Sequence, residues 1–173
     1  QHYGYMIENE LFWKGINNGF EKISLALWME LSKTSNTIID IGANTGISAL
    51  SAKTVNPQAT VYAIEPIERV FEKLQYNCKL NNMDIITMPY AVSNIDGYDD
   101  IYDTTDEHVY SVSLNKSFNA GLSMNFIPVR IPVKKLDSIV ESENISRIDL
   151  MKIDPETHEP EVLEGYKKYL VLH

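Results

Sequence analysis

The sequence has little of what would place it in several large classes of protein. Its 173 residues include one cysteine, Cys78, which excludes an internal disulfide framework. No run reaches about 18 apolar residues, the length of a membrane-spanning helix, and no signal-like segment opens the chain. The net charge is −9, so the electrostatic attraction that favours nucleic-acid binding is missing. We therefore expect a cytoplasmic protein with no membrane span and no nucleic-acid partner.

Motifs of dinucleotide enzymes are missing as well. The pattern G-x-G-x-x-G, which places a pyrophosphate on a helix N-terminus, does not occur. Nor does the sequence contain a Tyr-x-x-x-Lys pair beside a serine. Both absences disfavour a nicotinamide-dependent oxidoreductase, which remains the less favoured alternative. With 44% hydrophobic residues the chain can bury the core of a single domain, which we expect to cover residues 1–173.

The most informative stretch is residues 38–46, with the sequence Ile-Ile-Asp-Ile-Gly-Ala-Asn-Thr-Gly. Its β-branched apolar residues predict a buried parallel strand, and a helical pattern begins directly after Gly46. In an open α/β sheet, such a turn lies at the carboxyl edge of the strands, where ligands bind. Gly42 would let the backbone approach a ligand closely, and Asp40 can accept hydrogen bonds from a ligand ammonium or from amides of the loop.

A second apolar strand, residues 61–64, ends in Glu65. A carboxylate at this strand end can accept hydrogen bonds from both ribose hydroxyls of a nucleoside. The loop spacing D-x-G-x-x-x-G suits a ligand that has an amino-acid part and a nucleoside part but no phosphates. Together, Asp40, Gly42, Gly46 and Glu65 look like the S-adenosylmethionine site of a class I methyltransferase.

Strands alternate with helices along the chain, which predicts a doubly wound α/β fold with a mostly parallel sheet of the Rossmann-like type. Right-handed crossovers give the strand order 3-2-1, with the fourth parallel strand, residues 148–154, beside the first. Residues 1–35 are expected to form an N-terminal cap and helix, and residues 36–173 the ligand-binding core. The helix predicted at 16–31 has the inward stripe Ile16, Phe20, Ile23, Leu27 and Leu31, with Trp28 outside it.

The middle of the chain gives weaker patterns. A third strand is predicted at 85–92, at a sheet edge because of Pro89, and another edge strand at 127–133 because of Pro128 and Pro132. A short strand is predicted at 111–114. The acidic residues between 96 and 107 are interpreted as a solvated turn, because their spacing matches no metal-binding loop we can name; no metal is expected. Helices are predicted after Gly46, after Pro66 (with Leu80 inward), at 136–140 and up to Leu170.

These segments resemble the FkbM family of S-adenosylmethionine-dependent methyltransferases. The similarity covers about residues 19–170. Besides 39–46, it includes Tyr-Ala-Ile-Glu-Pro at 62–66, Asn77 with Leu-Asn at 80–81, Ala-Val-Ser at 91–93, Asp-Gly at 96–97, Lys-Leu-Asp at 135–137, Lys-Ile-Asp-Pro-Glu-Thr-His-Glu at 152–159 and Val-Leu-Glu-Gly at 162–165. In the family pattern K-I-D-x-E-G, Thr157 stands in the glycine position and Pro155 in a position usually held by an aliphatic residue.

The resemblance implies S-adenosylmethionine as the cofactor and O-methylation of a sugar, a polysaccharide or a secondary metabolite, so the partner would be a small molecule or a glycan. The cofactor-binding residues that we expect are Asp40, Gly42, Asn44, Gly46, Glu65 and Ala91. The altered loop at 154–159 leaves one alternative open, a non-catalytic binding domain that is methyltransferase-like in fold.

Methyl transfer to a hydroxyl benefits from a general base, because a protonated hydroxyl is a poor nucleophile. His158 is the histidine closest in sequence to the predicted site, and Asp154 and Glu156 lie beside it. We assign His158 as the candidate base and Glu156 as its orienting partner or an acceptor contact. Asp154 is expected to face the methyl end of the cofactor. The alternative for His158 is an exposed side chain at a helix start.

The predicted fourth strand has one flank without a partner. A strand with an open flank presents unpaired amides and carbonyls, which proteins normally cover. We therefore expect a sheet that is truncated after this strand, with further sequence beyond His173, or a second copy in a homo-oligomer, covering the open edge.

Overall fold

The computed structural model describes residues 6–15, 18–19, 21–104, 126–155 and 157–170. Its helices are α1 (Met6–Lys14), α2 (Lys22–Ser32), α3 (Ile47–Val55), α4 (Glu68–Leu80), α5 (Leu136–Ser142) and α6 (Glu159–Glu164). Its strands are β1 (Thr37–Ile41), β2 (Thr60–Ile64), β3 (Ile86–Met88), β4 (Ala91–Ser93), β5 (Gly97–Thr104), β6 (Phe126–Lys135) and β7 (Leu150–Ile153). The strand predicted at 111–114 lies outside the described residues.

Four parallel strands form the central sheet in the order β3-β2-β1-β7. In this sheet Asp40 of β1 lies beside Ala63 of β2 on one flank and beside Lys152 of β7 on the other. From β1 the sheet extends through β2 and β3 on one side, whereas the later strand β7 is added on the other side. The point between β1 and β7, where the strand order reverses, is the switch point at which ligands bind in such sheets. The predicted α/β fold and strand order are confirmed.

Helices cover both faces of this sheet, because successive side chains of a strand point to opposite faces. Ile38 and Val61 pack with residues of α2, α3 and α4 on one face, among them Leu74. Ile39 packs on the other face with residues of α5 and α6, among them Leu136. The predicted doubly wound arrangement is thus present. In the described ranges, no helix combines the length and the apolar character needed to cross a membrane.

Helix α2 buries a different face from the one predicted. Leu25 and Trp28 are buried, whereas the three described members of the predicted stripe are exposed: Ile23 by 77%, Leu27 by 60% and Leu31 by 46%. Apolar side chains occur on both sides of this helix, so helical periodicity alone selected the wrong side.

The position of Trp28 explains this choice of face. Its indole Nε1 donates a 2.8 Å hydrogen bond to the carbonyl oxygen of Ser48 in α3. A buried indole N–H needs such a partner, and α3 supplies it on the buried side of α2. The predicted stripe residues Ile16 and Phe20 lie outside the described residues.

The predicted third strand divides into two strands on either side of Pro89. β3 is the edge strand of the central sheet, as predicted for this position, and it ends at Met88. β4 begins at Ala91 and joins a separate three-stranded sheet with the order β4-β6-β5. Proline has no N–H with which to continue a ladder, so the chain leaves the first sheet at this point.

Strand β6 lies in the centre of the second sheet, so its predicted edge position is wrong. β4 pairs only with the segment from Val133 to Lys135. Pro128 and Pro132 precede that segment and are paired with β5 on one flank only. The strand can therefore be central and still keep its prolines outside the two-sided part of the ladder.

Most of the described part of the acidic segment, which the sequence predicts to be a solvated turn, forms strand β5 instead. Asp106 and Glu107 lie outside the described residues. In β5, Asp103 is buried, and its Oδ1 lies 2.6 Å from Nη2 of Arg69 in α4. This ion pair ties the second sheet to the central one. Within the part of the chain that the structure describes, no three His, Cys, Asp or Glu side chains are grouped so that they could hold a metal ion.

The remaining helices follow the prediction with two differences. α3, α4 and α5 form where expected, and Cys78 is buried. Leu80, predicted to point inward, is exposed at the end of α4. α6 ends at Glu164, and turns instead of a regular helix continue from Gly165 to Tyr169.

Candidate functional site

The loop between β1 and α3 is shaped by residues that adopt left-handed backbone conformations. The angle φ is 76° at Gly42, 51° at Asn44 and 99° at Gly46. This region is open to glycine and tolerated by asparagine. The N–H groups of Gly42 and Ala43 both donate to the carbonyl oxygen of Ile64, each at 3.0 Å, which ties the loop to the end of β2.

Helix α4 supports the same loop from the side. The Oδ1 atom of Asn44 accepts the N–H of Thr45 at 2.8 Å, and Nδ2 of Asn77 donates to the carbonyl oxygen of Thr45 at 2.8 Å. A Cβ on Gly46 would lie 2.6 Å from Cδ1 of Leu74. Gly46 and Asn44 therefore serve the shape of the loop, whatever ligand it binds.

Gly42 also lies against the end of β7. A Cβ added to Gly42 would be 2.2 Å from the carbonyl oxygen of Asp154. The N–H of Asp154 donates to the carbonyl oxygen of Ile41 at 3.0 Å. The structure thus brings two predicted site residues, Gly42 and Asp154, together at the switch point.

Asp40 is buried at the end of β1 with 0% exposure. Neither of its carboxylate oxygens makes a close hydrogen bond among the described residues, although the backbone N–H of Ala49 acts on the carboxylate and lowers its pKa. Burial raises the pKa of Asp40 to about 6, the charge of Lys152 opposes this rise, and the charge of Asp154 adds to it. A buried carboxylate without donors is costly in free energy, and a ligand that supplied N–H donors would relieve that cost.

Lys152 is not among the residues predicted for the site, yet it lies in its centre. Its Nζ is 2.7 Å from Oδ2 of Asp154 and 3.9 Å from Oδ1 of Asp40. Burial disfavours the charge of Lys152, but the two carboxylates outweigh this effect and raise its pKa. A sequence signal existed, because Lys152 is a cation inside an apolar strand, on the face shared with Asp154.

Glu65 lies at the end of β2 as predicted, but its carboxylate is engaged with the backbone. Oε2 accepts the N–H of Asn44 and Oε1 accepts the N–H of Ile67, each at 3.0 Å. Burial raises the pKa of Glu65 to about 7, although both hydrogen bonds oppose that rise. Each carboxylate oxygen can accept a second hydrogen bond, so a ribose contact is compatible with this geometry.

Ala91, also predicted to contact the cofactor, lies in a different cluster. It is buried between α4 and the second sheet with Ile67, Val70, Ile101 and Val133. Its part in cofactor binding stays a prediction.

The ring of His158 bridges α6 and β4. Its Nε2 lies 3.0 Å from Oγ of Ser93, and its Nδ1 lies 3.5 Å from Oε2 of Glu161. Burial lowers the pKa of His158, and the charge of Glu161 opposes this effect. Glu156, its predicted partner, lies outside the described residues. Asp154 differs from His158 in being accessible, since its side chain is 49% exposed.

Close backbone packing holds α6 in this position. A Cβ on Gly165 would be 2.1 Å from the carbonyl oxygen of Ser93. Nδ2 of Asn94 donates to Oε2 of Glu164 at 2.8 Å. The ring of His158 is therefore one of several contacts that fix α6 on β4.

Comparison with known proteins places this arrangement among methyltransferases. The model of the methyltransferase FkbM domain matches residues 40–172. Methyltransferase 1 from Beauveria bassiana is 30% identical over 144 residues, which cover 74% of this chain and 57% of that protein. Hexuronic acid methyltransferase AglP from Haloferax volcanii is 26% identical over 145 residues, which cover 84% of this chain and 56% of that protein. The chain thus spans somewhat more than half the length of these relatives.

Among solved structures, the chain is similar to a SAM-dependent O-methyltransferase from Thermotoga maritima. The sequence identity is 20% and the TM-score 0.38, over 48% of this chain and 33% of that chain.

Proposed function

The chain belongs to the FkbM methyltransferase family, and we propose that it transfers a methyl group from S-adenosylmethionine to a hydroxyl oxygen of a sugar, a polysaccharide or a secondary metabolite. The relative named for hexuronic acid supports a glycan acceptor.

The observation that carries this proposal is the buried carboxylate of Asp40. Both of its oxygens lack a close hydrogen-bond partner in the described part of the chain, and they lie beside the glycine loop at the switch point. The ligand group that best satisfies them is an ammonium, which brings both N–H donors and a positive charge. S-adenosylmethionine has such a group in its amino-acid part, whereas a nicotinamide dinucleotide has no aliphatic ammonium.

The surrounding residues fit the rest of this cofactor. Asp40 would bind the ammonium, the backbone at Gly42 would approach the amino-acid part, and Glu65 would accept the ribose hydroxyls with its remaining lone pairs. When bound, S-adenosylmethionine supplies a methyl group that is already activated on sulfur. The protein then has to align the acceptor oxygen and accept its proton.

For the proton we propose His158. For alignment of the acceptor we propose Asp154, whose side chain is partly exposed and whose backbone lies against Gly42. Burial lowers the pKa of His158, so its ring is neutral at pH 7 and able to take a proton. As a base it would exchange its contact with Ser93 for one with the acceptor hydroxyl. Glu156 would orient the ring or contact the acceptor.

The test begins with calorimetric titration of S-adenosylmethionine, S-adenosylhomocysteine and NAD into the protein, with Asp40→Asn as a matched variant. We expect the first two ligands to bind the wild type and to lose affinity in the variant. Mass spectrometry then follows transfer of a deuterated methyl group to a panel of uronic acids and other glycans. Binding of NAD alone would contradict the proposal. Cofactor binding without turnover on any acceptor would favour the non-catalytic domain.

A further inference from the structure

Three charged side chains at the switch point, Asp40, Lys152 and Asp154, lie in a row across the β1–β7 pair. Asp40 and Lys152 are register partners in adjacent strands, and Asp154 follows Lys152 by two residues, on the same side of β7. Lys152 hydrogen-bonds Asp154 at 2.7 Å but remains 3.9 Å from Asp40, beyond hydrogen-bonding distance. The lysine therefore acts on Asp40 through its charge and occupies neither oxygen of Asp40 with a hydrogen bond.

We propose that Lys152 is a positioning residue of the cofactor site: its ammonium, tethered by Asp154, keeps Asp40 negatively charged and free to bind the ammonium of the cofactor. This inference rests on the proposed function for the identity of the ligand. It assigns Lys152 no contact with the cofactor and no part in methyl transfer itself.

The physical need for such a residue follows from the burial of Asp40. A buried carboxylate without hydrogen-bond donors tends to take up a proton, and an opposite charge within about 4–6 Å counteracts that tendency. If Lys152 hydrogen-bonded Asp40 directly, it would occupy the oxygens that the ligand needs. The tether to Asp154 prevents this, so the charge is supplied from a distance that leaves room for a second cation.

Among the described residues, two further carboxylates act on these three side chains, and Arg69 acts on one of the two, Glu65. Glu21, just before α2, acts on Lys152, and Glu65, after β2, is coupled to Asp40. Glu21 and Asp154 stabilise the charged form of Lys152. Glu65 and Asp154 favour the protonated form of Asp40. Lys152 is the cation whose charge acts on Asp40, whose pKa is about 6 with that cation in place. Asp40 is then mostly charged at pH 7, and removal of the cation should shift it towards the protonated form.

The experiment measures S-adenosylhomocysteine affinity by calorimetry between about pH 5 and pH 8.5 in the full chain. For the wild type we expect the affinity to fall as the pH drops through about 6. For Lys152→Met the midpoint should move upward by roughly 1 to 2 pH units. Lys152→Arg should keep the wild-type midpoint. Lys167→Met, which removes an exposed lysine paired with Glu164, is the control and should change nothing.

Two features separate this role from a structural one. The affinity lost in Lys152→Met at pH 7 should return near pH 8.5, where Asp40 is charged again; a folding defect would not be reversed in this way. Asp154→Asn should move the midpoint in the opposite direction, because Asp154 favours the protonated form of Asp40.

A readout without ligand keeps the inference distinguishable from the proposed function. The ionisation of Asp40 can be followed in the free protein by carboxyl carbon NMR, assigned with Asp40→Asn. We expect its midpoint to rise in Lys152→Met and to fall in Asp154→Asn. Unchanged midpoints in both variants would overturn the role of Lys152, even if cofactor binds normally. A wild type that binds no S-adenosylhomocysteine at any pH would overturn the proposed function, and with it the part of the inference that names the ligand.

Discussion

Gly42 and Asp154 touch at the switch point so closely that a Cβ on Gly42 would lie 2.2 Å from the carbonyl oxygen of Asp154. The two strand ends that form the site are therefore joined through a residue without a side chain. Gly42 also has a φ of 76°, a conformation that other residues adopt only at a cost. One glycine thus serves the junction of β1 with β7 and the approach of a ligand to the loop.

We expect Gly42→Ala to destabilise the protein by roughly 2–4 kcal/mol, from backbone strain together with overpacking against Asp154. Binding of S-adenosylhomocysteine should be lost as well. Urea unfolding and calorimetry measure the two effects. Gly97→Ala is the matched control, because Gly97 also has a positive φ, of 143°, but nothing lies within 4 Å of the added Cβ. Equal stability of the two variants would show that the contact with Asp154 can relax.

Asp40→Asn should make the ligand-free protein more stable at pH 8. The pKa of Asp40 is raised from 3.8 to about 6 in the folded state, so the folded protein binds the proton more tightly than the unfolded chain. Its contribution to stability is present below about pH 3.8 and is lost as the pH rises through about 6. Asp40→Asn removes the charge and should therefore raise the free energy of unfolding by on the order of 1–3 kcal/mol at pH 8 and by less at pH 5.

The same substitution should weaken S-adenosylhomocysteine binding about 10- to 150-fold, the range for a lost hydrogen bond to a charged group. Urea unfolding at both pH values and calorimetry at pH 8 test the pair of effects. Asp100→Asn, at an exposed carboxylate, is the control and should change neither. Higher stability together with lower affinity is the result expected for a residue that binds ligand at the expense of stability. A variant that lost both stability and affinity would contradict this role of Asp40.

Glu65→Gln should also weaken S-adenosylhomocysteine binding by about 10- to 150-fold. Glu65 holds the N–H groups of Asn44 and Ile67, so part of this loss could come from the loop alone. Analogues of the ligand that lack one ribose hydroxyl separate the two causes. If Glu65 contacts the ribose, the variant and the analogue together should cost less than the sum of their separate effects. If the two free-energy costs are strictly additive, Glu65 does not contact the ribose and only supports the loop.

The corrected face of α2 gives a prediction about stability. Leu25→Ala should cost about 2–5 kcal/mol, because Leu25 is buried against the sheet. Leu27→Ala, two positions further on an exposed face, should change the free energy of unfolding by less than about 0.5 kcal/mol. Urea unfolding of the two variants measures both. A larger loss of stability in Leu27→Ala than in Leu25→Ala would show that the face predicted from the sequence is the buried one.

Helix α2 shows where sequence reasoning stopped. The period of its apolar residues predicts a helix correctly, but apolar side chains occur on both faces. The choice between them depends on which face meets α3, and Trp28 with its bond to Ser48 settles that contact in three dimensions. By contrast, β1 and its glycine loop were predictable, because the left-handed backbone at Gly42 and Gly46 favours glycine within the loop itself, before any distant contact is considered.

The site shows the same division. Asp40 and Glu65 follow directly from their positions at strand ends. A cation inside an apolar strand marks Lys152 locally, but its position opposite Asp40 follows from the register between β1 and β7, which no local pattern contains. The partner of His158 is similarly non-local, since Ser93 is 65 residues away in the chain.

The last prediction concerns His158, whose ring has one structural role and one proposed catalytic role. His158→Ala should lower the free energy of unfolding by about 1–3 kcal/mol, because the buried hydroxyl of Ser93 loses its 3.0 Å contact with the ring and keeps the longer one, 3.4 Å, to Asn94. If His158 is also the base, turnover should fall about 10²- to 10⁴-fold with cofactor affinity intact. Urea unfolding, calorimetry and the methyl-transfer assay give the three readouts.

Ser93→Ala separates these roles, because it removes the contact between Ser93 and the ring while leaving the imidazole in place. We expect Ser93→Ala to lower stability but to keep most of the turnover, since Nε2 of His158 is then free for the acceptor. Burial lowers the pKa of His158, so the stability that depends on its neutral ring is present above about pH 6.5 and is lost as the pH falls through the lowered pKa. His158→Gln should remove this loss at acidic pH. If His158→Ala turned over like Ser93→Ala on a competent acceptor, His158 would only hold α6 on β4, and the proton would have to go to another group, with Asp154 the next to test.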